Sequence, residues 1–337
     1  MGLYIAYGRR ERIMAIEAAE LKIYKSAIVN NLTTNGGRMG TTEVVSAVSN
    51  NVFPNVTQAE RTAGVTRYRK VYSKVYDGDS EFFHNHKAFI SKQSPAGDYV
   101  QIKAGTDTDT QAAADDYTAW LGCGKVNAPI SANSTSIEVV FEAASGVQDG
   151  NYGWLSDGIN EEYVEVSTVS WISSTATIIL AAGTEYGYSA YSVPLPVWFA
   201  AYADLSDTTS SADTFVATTA GSGTFDDSYF TTLNKGCIED SWTLTFSGAS
   251  AFTCVGTNSA LSRAGSKAST FEPVDSLGDI MFRITAAAWV DTWTTGDTLT
   301  FDTHHAAKAV WLKEVVPAST SSYSNNNPYL RIAGESA

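Results

Sequence analysis

Two histidine pairs are the first residues of this chain whose types and spacing could do chemistry. His84-Asn85-His86 places two imidazoles two residues apart, and His304-His305 places two side by side. A protein metal site needs further Cys, His or acidic ligands at defined spacing, and no such cluster follows either pair in the sequence. Because adjacent side chains of a strand point to opposite faces, His304 and His305 are not expected to share an ion. The sequence predicts no metal site and no cofactor.

The segment from Asp107 to Thr110 offers a second kind of chemistry. Its Asp-Thr-Asp-Thr order matches the D-x-D-x-T string of haloacid-dehalogenase-type phosphatases, whose nucleophilic aspartate lies at the end of a buried parallel strand. Here Lys103-Ala104-Gly105 intervenes, no βαβ pattern surrounds the string, and short motifs have a high false-positive rate. We interpret the segment as a polar loop.

Acidic pairs could supply the two carboxylates of a glycosidase. Neighbouring acids do not show the separation across a cleft that such cleavage needs, so solvated acidic edges that protect exposed strands are the favoured interpretation. No nucleophile, base and orienting residue can be grouped from the sequence, and the chain is therefore predicted to have no catalytic residues and not to be an enzyme. The pairs are Asp115-Asp116, Glu161-Glu162, Asp226-Asp227 and Glu239-Asp240.

The segment from Arg67 to Tyr76 interleaves basic and aromatic residues and gives the clearest strand signal in the first third of the chain. Alternation places its tyrosines and lysines on one face, and Val71 and Val75 on the other. Such a strand could bind single-stranded nucleic acid. In an acidic chain we favour docking onto an acidic protein surface, with Arg and Tyr as anchors. The candidate interface residues are Arg67, Tyr68, Arg69, Lys70, Tyr72 and Lys74.

The composition of the chain favours β structure around these segments. Of the 337 residues, 44% are hydrophobic and only 17% charged, and 26 glycines leave little room for long helices. The net charge of -14 disfavours nucleic acid as a partner, since phosphate contacts need the opposite sign. The longest apolar runs fall short of the ~20 residues of a membrane helix, and no membrane partner is expected. The three cysteines form no C-x-x-C pair and fit assembly in a reducing compartment.

The sequence predicts a mainly β fold of two or three antiparallel sandwich or barrel modules, with a short N-terminal helix or arm and an extended C-terminal tail. The arm covers residues 1–20 and the first β module 21–128. A second, possibly inserted module covers 129–195. Residues 196–316 form a third module or complete the first, and 317–337 form a polar, turn-rich tail that needs a neighbour to order it.

Three segments of the sequence, which begin at residues 34, 160 and 295, resemble a family of virion structural proteins. These proteins are encoded among the head and tail genes of contractile-tailed and Mu-like bacteriophages. The family is recognised by overall sequence character and has no catalytic signature, so the resemblance implies a virion component and carries over no active site. A neck or collar position between head and tail is the first expectation, with tail or baseplate second and capsid decoration third. The segments are 34–39 continuing to 61–70, 160–163 with 170–171, and 295–301 through 309–312.

The resemblance and the composition together predict a protein that works by association. We expect copies of the chain to form a ring or lattice and to bind capsid, portal, connector or tail proteins, in a virion assembled in the host cytoplasm. The competing hypothesis is a carbohydrate-binding or carbohydrate-cleaving receptor module for the host surface, which also uses β architecture and exposed aromatic side chains.

Overall fold

The computed structural model describes residues 4–7, 16–78, 80–115, 119–188, 196–323 and 327–336. Within them the fold is mainly β, as predicted, and the only α-helices are the short α1 Gln58–Ala63 and α2 Gln111–Asp115. Short runs of β-branched and aromatic residues between turn residues favour strands over helices throughout. The predicted N-terminal helix falls mostly on residues outside the described ranges, and Ala18–Glu20 form a single 3₁₀ turn.

The first six strands begin a two-sheet unit. Gly36 opens the third of them with a φ of 109°, and a Cβ there would lie 2.7 Å from the Trp311 ring, so the predicted Asn35-Gly36-Gly37 turn requires glycine at this position. The strands are β1 Tyr4–Tyr7, β2 Leu21–Ile28, β3 Gly36–Glu43, β4 Val65–Val75, β5 Phe83–Lys92 and β6 Tyr99–Ala104.

The next six strands form a closed barrel in the order β10-β11-β8-β7-β12-β9. Its inward side chains alternate with outward ones, and Val139, Leu155 and Ile178 have no exposed surface. The barrel extends beyond the 129–195 module predicted from sequence, because its first and last strands pair with each other and close it. The strands are β7 Cys123–Val126, β8 Ser136–Phe141, β9 Tyr152–Ser156, β10 Glu161–Ile172, β11 Thr175–Leu180 and β12 Trp198–Ala201.

A third unit follows the short strand β13, which pairs with β5. Its main sheet has the order β14-β22-β17-β18-β19 and covers an aromatic core in which Phe246 and Trp293 stack with ring centroids 4.7 Å apart. The strands of this stretch are β13 Ala203–Asp204, β14 Ser211–Thr218, β15 Thr224–Phe225, β16 Phe230–Thr232, β17 Asp240–Phe246, β18 Ala251–Gly256, β19 Ser262–Ser266, β20 Phe282–Ile284, β21 Trp289–Val290 and β22 Thr298–His304.

The last two strands, β23 Ala307–Val316 and β24 Tyr329–Ser336, return to the first unit. They complete a five-stranded sheet, β3-β2-β4-β23-β6, and a four-stranded sheet, β1-β24-β5-β13, whose facing side chains share one core. Strands β14 to β22 therefore belong to a third unit, and β23 belongs to a sheet of the first.

The C-terminal tail is extended, as predicted, but its second half is ordered by strands of the same chain and not by a neighbouring subunit. Strand β24 pairs with β5 along its length and runs parallel to β1, and Leu330 and Ile332 are fully buried. The alternation of apolar and polar residues in Tyr329–Ser336 explains this, since one face of the strand can enter the core.

The buried C-terminal strand gives the first prediction. Ile332→Ala should lower the free energy of unfolding by about 2–5 kcal/mol, because it leaves a cavity in the core. Tyr323→Ala, at an exposed position just before the strand, should change it by no more than about 0.5 kcal/mol. Urea denaturation of both variants measures this, and equal effects would show that β24 is not packed as described.

Candidate functional site

Strand β4, which carries the predicted interface, lies in the middle of the five-stranded sheet between β2 and β23. The predicted alternation of its side chains is confirmed. Val71 and Val75 enter the hydrophobic core, whereas Lys70 and Tyr72 point to the other face, where both hydrogen-bond to the carbonyl oxygen of Gly37.

The structure places the predicted interface residues largely inside the chain. Tyr68 is half-buried and the other five are buried. Loops and the third unit cover the face that carries Lys70, Tyr72 and Lys74, whereas Arg67 and Arg69 lie on the face of Val71 and Val75. A side chain buried by its own chain is not available to anchor a partner, so these residues do not form the exposed docking strand that the sequence predicted. The five buried residues are Arg67, Arg69, Lys70, Tyr72 and Lys74.

The acidic surface that meets Lys70 belongs to the same chain. Its Nζ lies 2.6 Å from Oδ1 of Asp109 and donates to the carbonyl oxygen of Gly37 at 2.8 Å. Burial lowers the pKa of Lys70, and the hydrogen bond and charge of Asp109 oppose that shift. The ion pair fixes the loop that follows β6 against β4.

The Asp107–Thr110 string lies on that loop, as predicted. The strand before it, β6, pairs antiparallel with β23, unlike the parallel strand that precedes a phosphatase nucleophile. Asp109 accepts a hydrogen bond from Nε1 of Trp311 at 2.8 Å, and Asp107 lies 2.8 Å from Nε2 of His305. Both aspartates thus hold the loop against its neighbours.

Arg67 and Glu314 form a buried pair on the other face of β4. Nη1 of Arg67 lies 3.4 Å from Oε2 of Glu314, and Nη2 lies 2.9 Å from Oε2 of Glu60. Neither carboxylate oxygen of Glu314 accepts a hydrogen bond from a residue in the described ranges. Burial raises the pKa of Glu314 to about 7; Arg67 opposes the rise and Asp98 adds to it.

The two histidine pairs have separate partners. His84 contacts Asp207 at 2.8 Å on the surface, while His86 is buried between hydroxyl groups, and its burial lowers its pKa to about 3. His304 contacts Glu239 at 2.9 Å, whereas His305 contacts Asp107. His304 and His305 thus contact different carboxyl groups.

The acidic pairs are not all solvated edges. Asp240 is buried, and its carboxylate accepts backbone hydrogen bonds from Asn258 at 2.7 Å and Ser259 at 3.0 Å. Glu161 forms a two-point ion pair with Arg331 at 2.6 and 2.8 Å, which joins the barrel to β24. Asp116 lies outside the described residues.

A cleft of about 340 Å³ lies between the outer face of the five-stranded sheet and the third unit. Strands β2, β3 and β4 supply one wall and loops of the third unit supply the other. Its size is within the range of small-molecule sites, which often lie between units of a protein. The lining includes apolar side chains from both walls: Tyr24, Met39, Ile238, Leu261 and Leu277.

Three ligand-type side chains meet beside this cleft. Asp107, Glu239 and His305 bring one ligand atom each within 4.8 Å of one another, and in the described part of the chain they are the one such group. They could hold a divalent cation through oxygen and nitrogen ligands. His305 and Glu239 already have hydrogen-bond partners, Asp107 and His304 respectively, which satisfy the group without an ion.

Two cations also line the cleft. Lys74 is only 4% exposed, and Arg38 donates to the carbonyl oxygen of Glu239 at 3.0 Å. Across the described ranges, no carboxylate forms an ion pair with Lys74 or Arg38. Nζ of Lys74 has no hydrogen-bond acceptor there, and its cation–π neighbour is the Tyr76 ring, 5.7 Å away. Burial lowers the pKa of Lys74, and the nearby Cys237 thiol and the charges of Asp275 and Asp279 oppose that shift.

The sequence did not predict this cleft. Its charged residues include ones around positions 38, 74, 107, 239 and 305, which no motif spacing connects. Lys74, Asp107, Glu239 and His305 were singled out separately, each for a different reason, and nothing in the sequence brought them together. The signal that could have drawn attention to it is the basic residue within an otherwise strand-forming run at β4.

Comparisons with known proteins identify no relative of this chain: no family model matches it, and no curated protein or solved structure is significantly similar. None of the helices in the described ranges is long and apolar enough to span a bilayer.

The buried Arg67–Glu314 pair gives the second prediction. Because the pKa of Glu314 rises from 4.5 to about 7 on folding, the folded state loses stability as the pH rises through that window, by about 3 kcal/mol. Glu314→Gln should remove most of this loss, as measured by urea denaturation at about pH 5 and about pH 8.

Glu60→Gln is the matched control, because Glu60 contacts the same arginine but its pKa is lowered. Burial alone would raise that pKa, and hydrogen bonds from Thr57 with the charge of Arg67 outweigh it. The control should leave the difference between the two pH values unchanged. A wild-type chain whose stability is flat across the window would contradict the prediction.

Proposed function

We propose that this chain is a structural component of a tailed-phage virion, at the head–tail neck or collar, that binds copies of itself and other virion proteins. The observation that carries the proposal is the edge strand β3, which ends the five-stranded sheet and is flanked by exposed apolar side chains. An open sheet edge with apolar flanks is a template for pairing with another chain. The flanking residues are Ile28, Val29, Leu32, Val45 and Val48.

These flanking segments suit self-association of an acidic chain. Residues 28–32 and 45–48 contain no charged side chain, although the whole chain carries a net charge of -14. Copies that met through acidic surfaces would repel one another, whereas uncharged apolar segments can be buried without that cost. Repeated contacts of one edge with a different surface of the next copy generate a ring when the rotation closes.

The place in the particle rests on the resemblance of the three sequence segments to phage virion proteins. An assembly role needs no catalytic group, and its work is the burial of strand edges and apolar surface between subunits. Assembly in the host cytoplasm also fits the three cysteines, which are all buried free thiols.

A second candidate function, binding of host-surface carbohydrate, is favoured by a group of tyrosines beside the barrel. Tyr152 and Tyr163 are 45% and 43% exposed, and both pack against Tyr202, with ring centroids 5.9 and 5.8 Å away. An aromatic face with a polar edge is suited to stacking against a sugar ring. The tyrosine group is separate from the β3 edge, so the two functions can be tested independently.

The β3 edge gives the third prediction. Purified protein should form multimers by light scattering, and the double variant Leu32→Asp/Val48→Asp should weaken association at least about tenfold, because it places charges in the buried contact. Ile172→Asp is the matched control: Ile172 is 82% exposed at the end of β10, far along the chain from β3, and its variant should associate like the wild type. Circular dichroism checks that all three proteins are folded.

Immunogold labelling of intact particles tests the location. Label at a ring-shaped level between head and tail supports the proposal. Three results together would support the receptor role in place of the assembly role. They are label at fibre tips, a monomeric protein that binds host polysaccharide, and loss of that binding in Tyr152→Ala. Equal association of the double variant and the wild type would contradict the part assigned to β3.

A further inference from the structure

The cleft between the five-stranded sheet and the third unit contains a cation that the fold itself does not neutralise. Lys74 is 4% exposed and lines the cleft, yet across the described ranges its Nζ meets no carboxylate and no hydrogen-bond acceptor. A buried, unpaired ammonium is costly, and proteins ordinarily pair such a charge or neutralise it. The three other buried cations of the same strand do have partners. Arg67 and Lys70 pair with carboxylates, and Arg69 donates to the carbonyl oxygen of Asn30 and to Oδ1 of Asn31.

The acids of the cleft are satisfied by other groups. Asp107 contacts His305, Glu239 contacts His304, and Asp275 accepts backbone hydrogen bonds from Leu277 at 2.8 Å and Asp279 at 2.9 Å. None of these three carboxylates lies within ion-pair distance of Lys74 in the described part of the chain. The group that the cleft lacks is therefore an anion and not a cation.

Arg38 supplies a second donor near the same space. It lines the cleft, donates one hydrogen bond to the carbonyl oxygen of Glu239, and has no carboxylate partner in the described part of the chain. A planar guanidinium and an ammonium together are suited to a carboxylate group. The neighbouring acids make a singly charged group more favourable than a doubly charged phosphate, since each added negative charge meets Asp107, Glu239 and Asp275.

The remainder of the cleft fits an apolar body. Met39 and Tyr24 on the sheet side face Leu261 and Leu277 on the other side, and the volume of about 340 Å³ is that of a small-molecule site. We propose that this cleft binds a small organic monocarboxylate, with its carboxylate on Lys74 and Arg38 and its apolar part between the sheet and the third unit. This binding site goes beyond the assembly role and does not depend on it.

The test is calorimetric titration of the full chain with phenylacetate and hexanoate, each compared with its neutral amide. The carboxylates should bind at least about tenfold more tightly than the amides, because only they can pair with the two cations. Phenyl phosphate should bind more weakly than phenylacetate. Lys74→Met should abolish the preference for carboxylate over amide, and Arg38→Met should reduce it.

Lys313→Met is the control, since Lys313 is a partly buried lysine over the Trp120 ring, outside the cleft, and its variant should keep the wild-type preference. Replacing an unpaired buried charge by a similar-sized apolar side chain does not threaten folding, and thermal melting of Lys74→Met checks this. Absence of carboxylate binding by the wild type, equal binding of amides, or an unchanged preference in Lys74→Met would overturn the proposal. Binding of Zn²⁺ or Ca²⁺ at this site without any binding of carboxylates would also overturn the proposal.

Discussion

The pairing of β23 with β4 is the constraint on which the rest of the structure depends. Ten residues from Ala307 to Val316 lie opposite Val65 to Lys74, so a segment from the last part of the chain lies beside the central strand of a sheet that began near the N terminus. Everything between them must leave the sheet and return to it. The barrel and the third unit are therefore inserted into one central unit. The core of that unit cannot be completed until the last strands of the chain are in place.

Strand β4 is buried on both faces, by the core on one side and by loops and the third unit on the other, so its basic residues need partners within the chain. Arg67 is held by Glu60 and Glu314, and Lys70 is held by Asp109 on the loop after β6. Lys74, at the end of the strand nearest the third unit, has no such partner among the described residues and lines the cleft instead. One strand thus contains a buried pair whose carboxyl has a raised pKa, an ion pair that fixes a loop, and an unneutralised ammonium that indicates a binding site.

The two proposed activities use different parts of this architecture. Assembly would use the outer edge of the five-stranded sheet, where β3 and its uncharged flanks are exposed. Carboxylate binding would use the face of the same sheet, where the third unit covers it. Because Arg38 and Met39 lie on β3 itself, an edge contact and an occupied cleft would meet at one strand, and each could influence the other through that strand.

The sequence by itself determined the class of the fold and many of its strands. Alternating apolar residues and glycine-rich turns are local signals, so short windows could predict the strand around Arg67–Tyr76 with its two faces. The same holds for strands β8, β10 and β11 and for the strands near Trp242 and Val310, whereas β9 was not predicted. The same local signals left the pairing partners open, since a strand pattern does not say which other strand it meets. The final segment was expected to need a neighbour because it is polar and turn-rich. Its partners, β5 and β1, are more than two hundred residues away in the chain, and the local pattern could not indicate them.

Only the tertiary structure decided which charged residues are exposed. From sequence, the basic and aromatic residues of β4 looked like a surface, because charged side chains are rarely buried unless they are paired. Their partners Glu314, Asp109 and Glu60 come from three separate segments, and the cleft beside Lys74 exists only where the third unit folds back onto the first. Burial and electrostatic pairing depend on contacts between distant segments, and such contacts leave no trace in the spacing of residues along one chain.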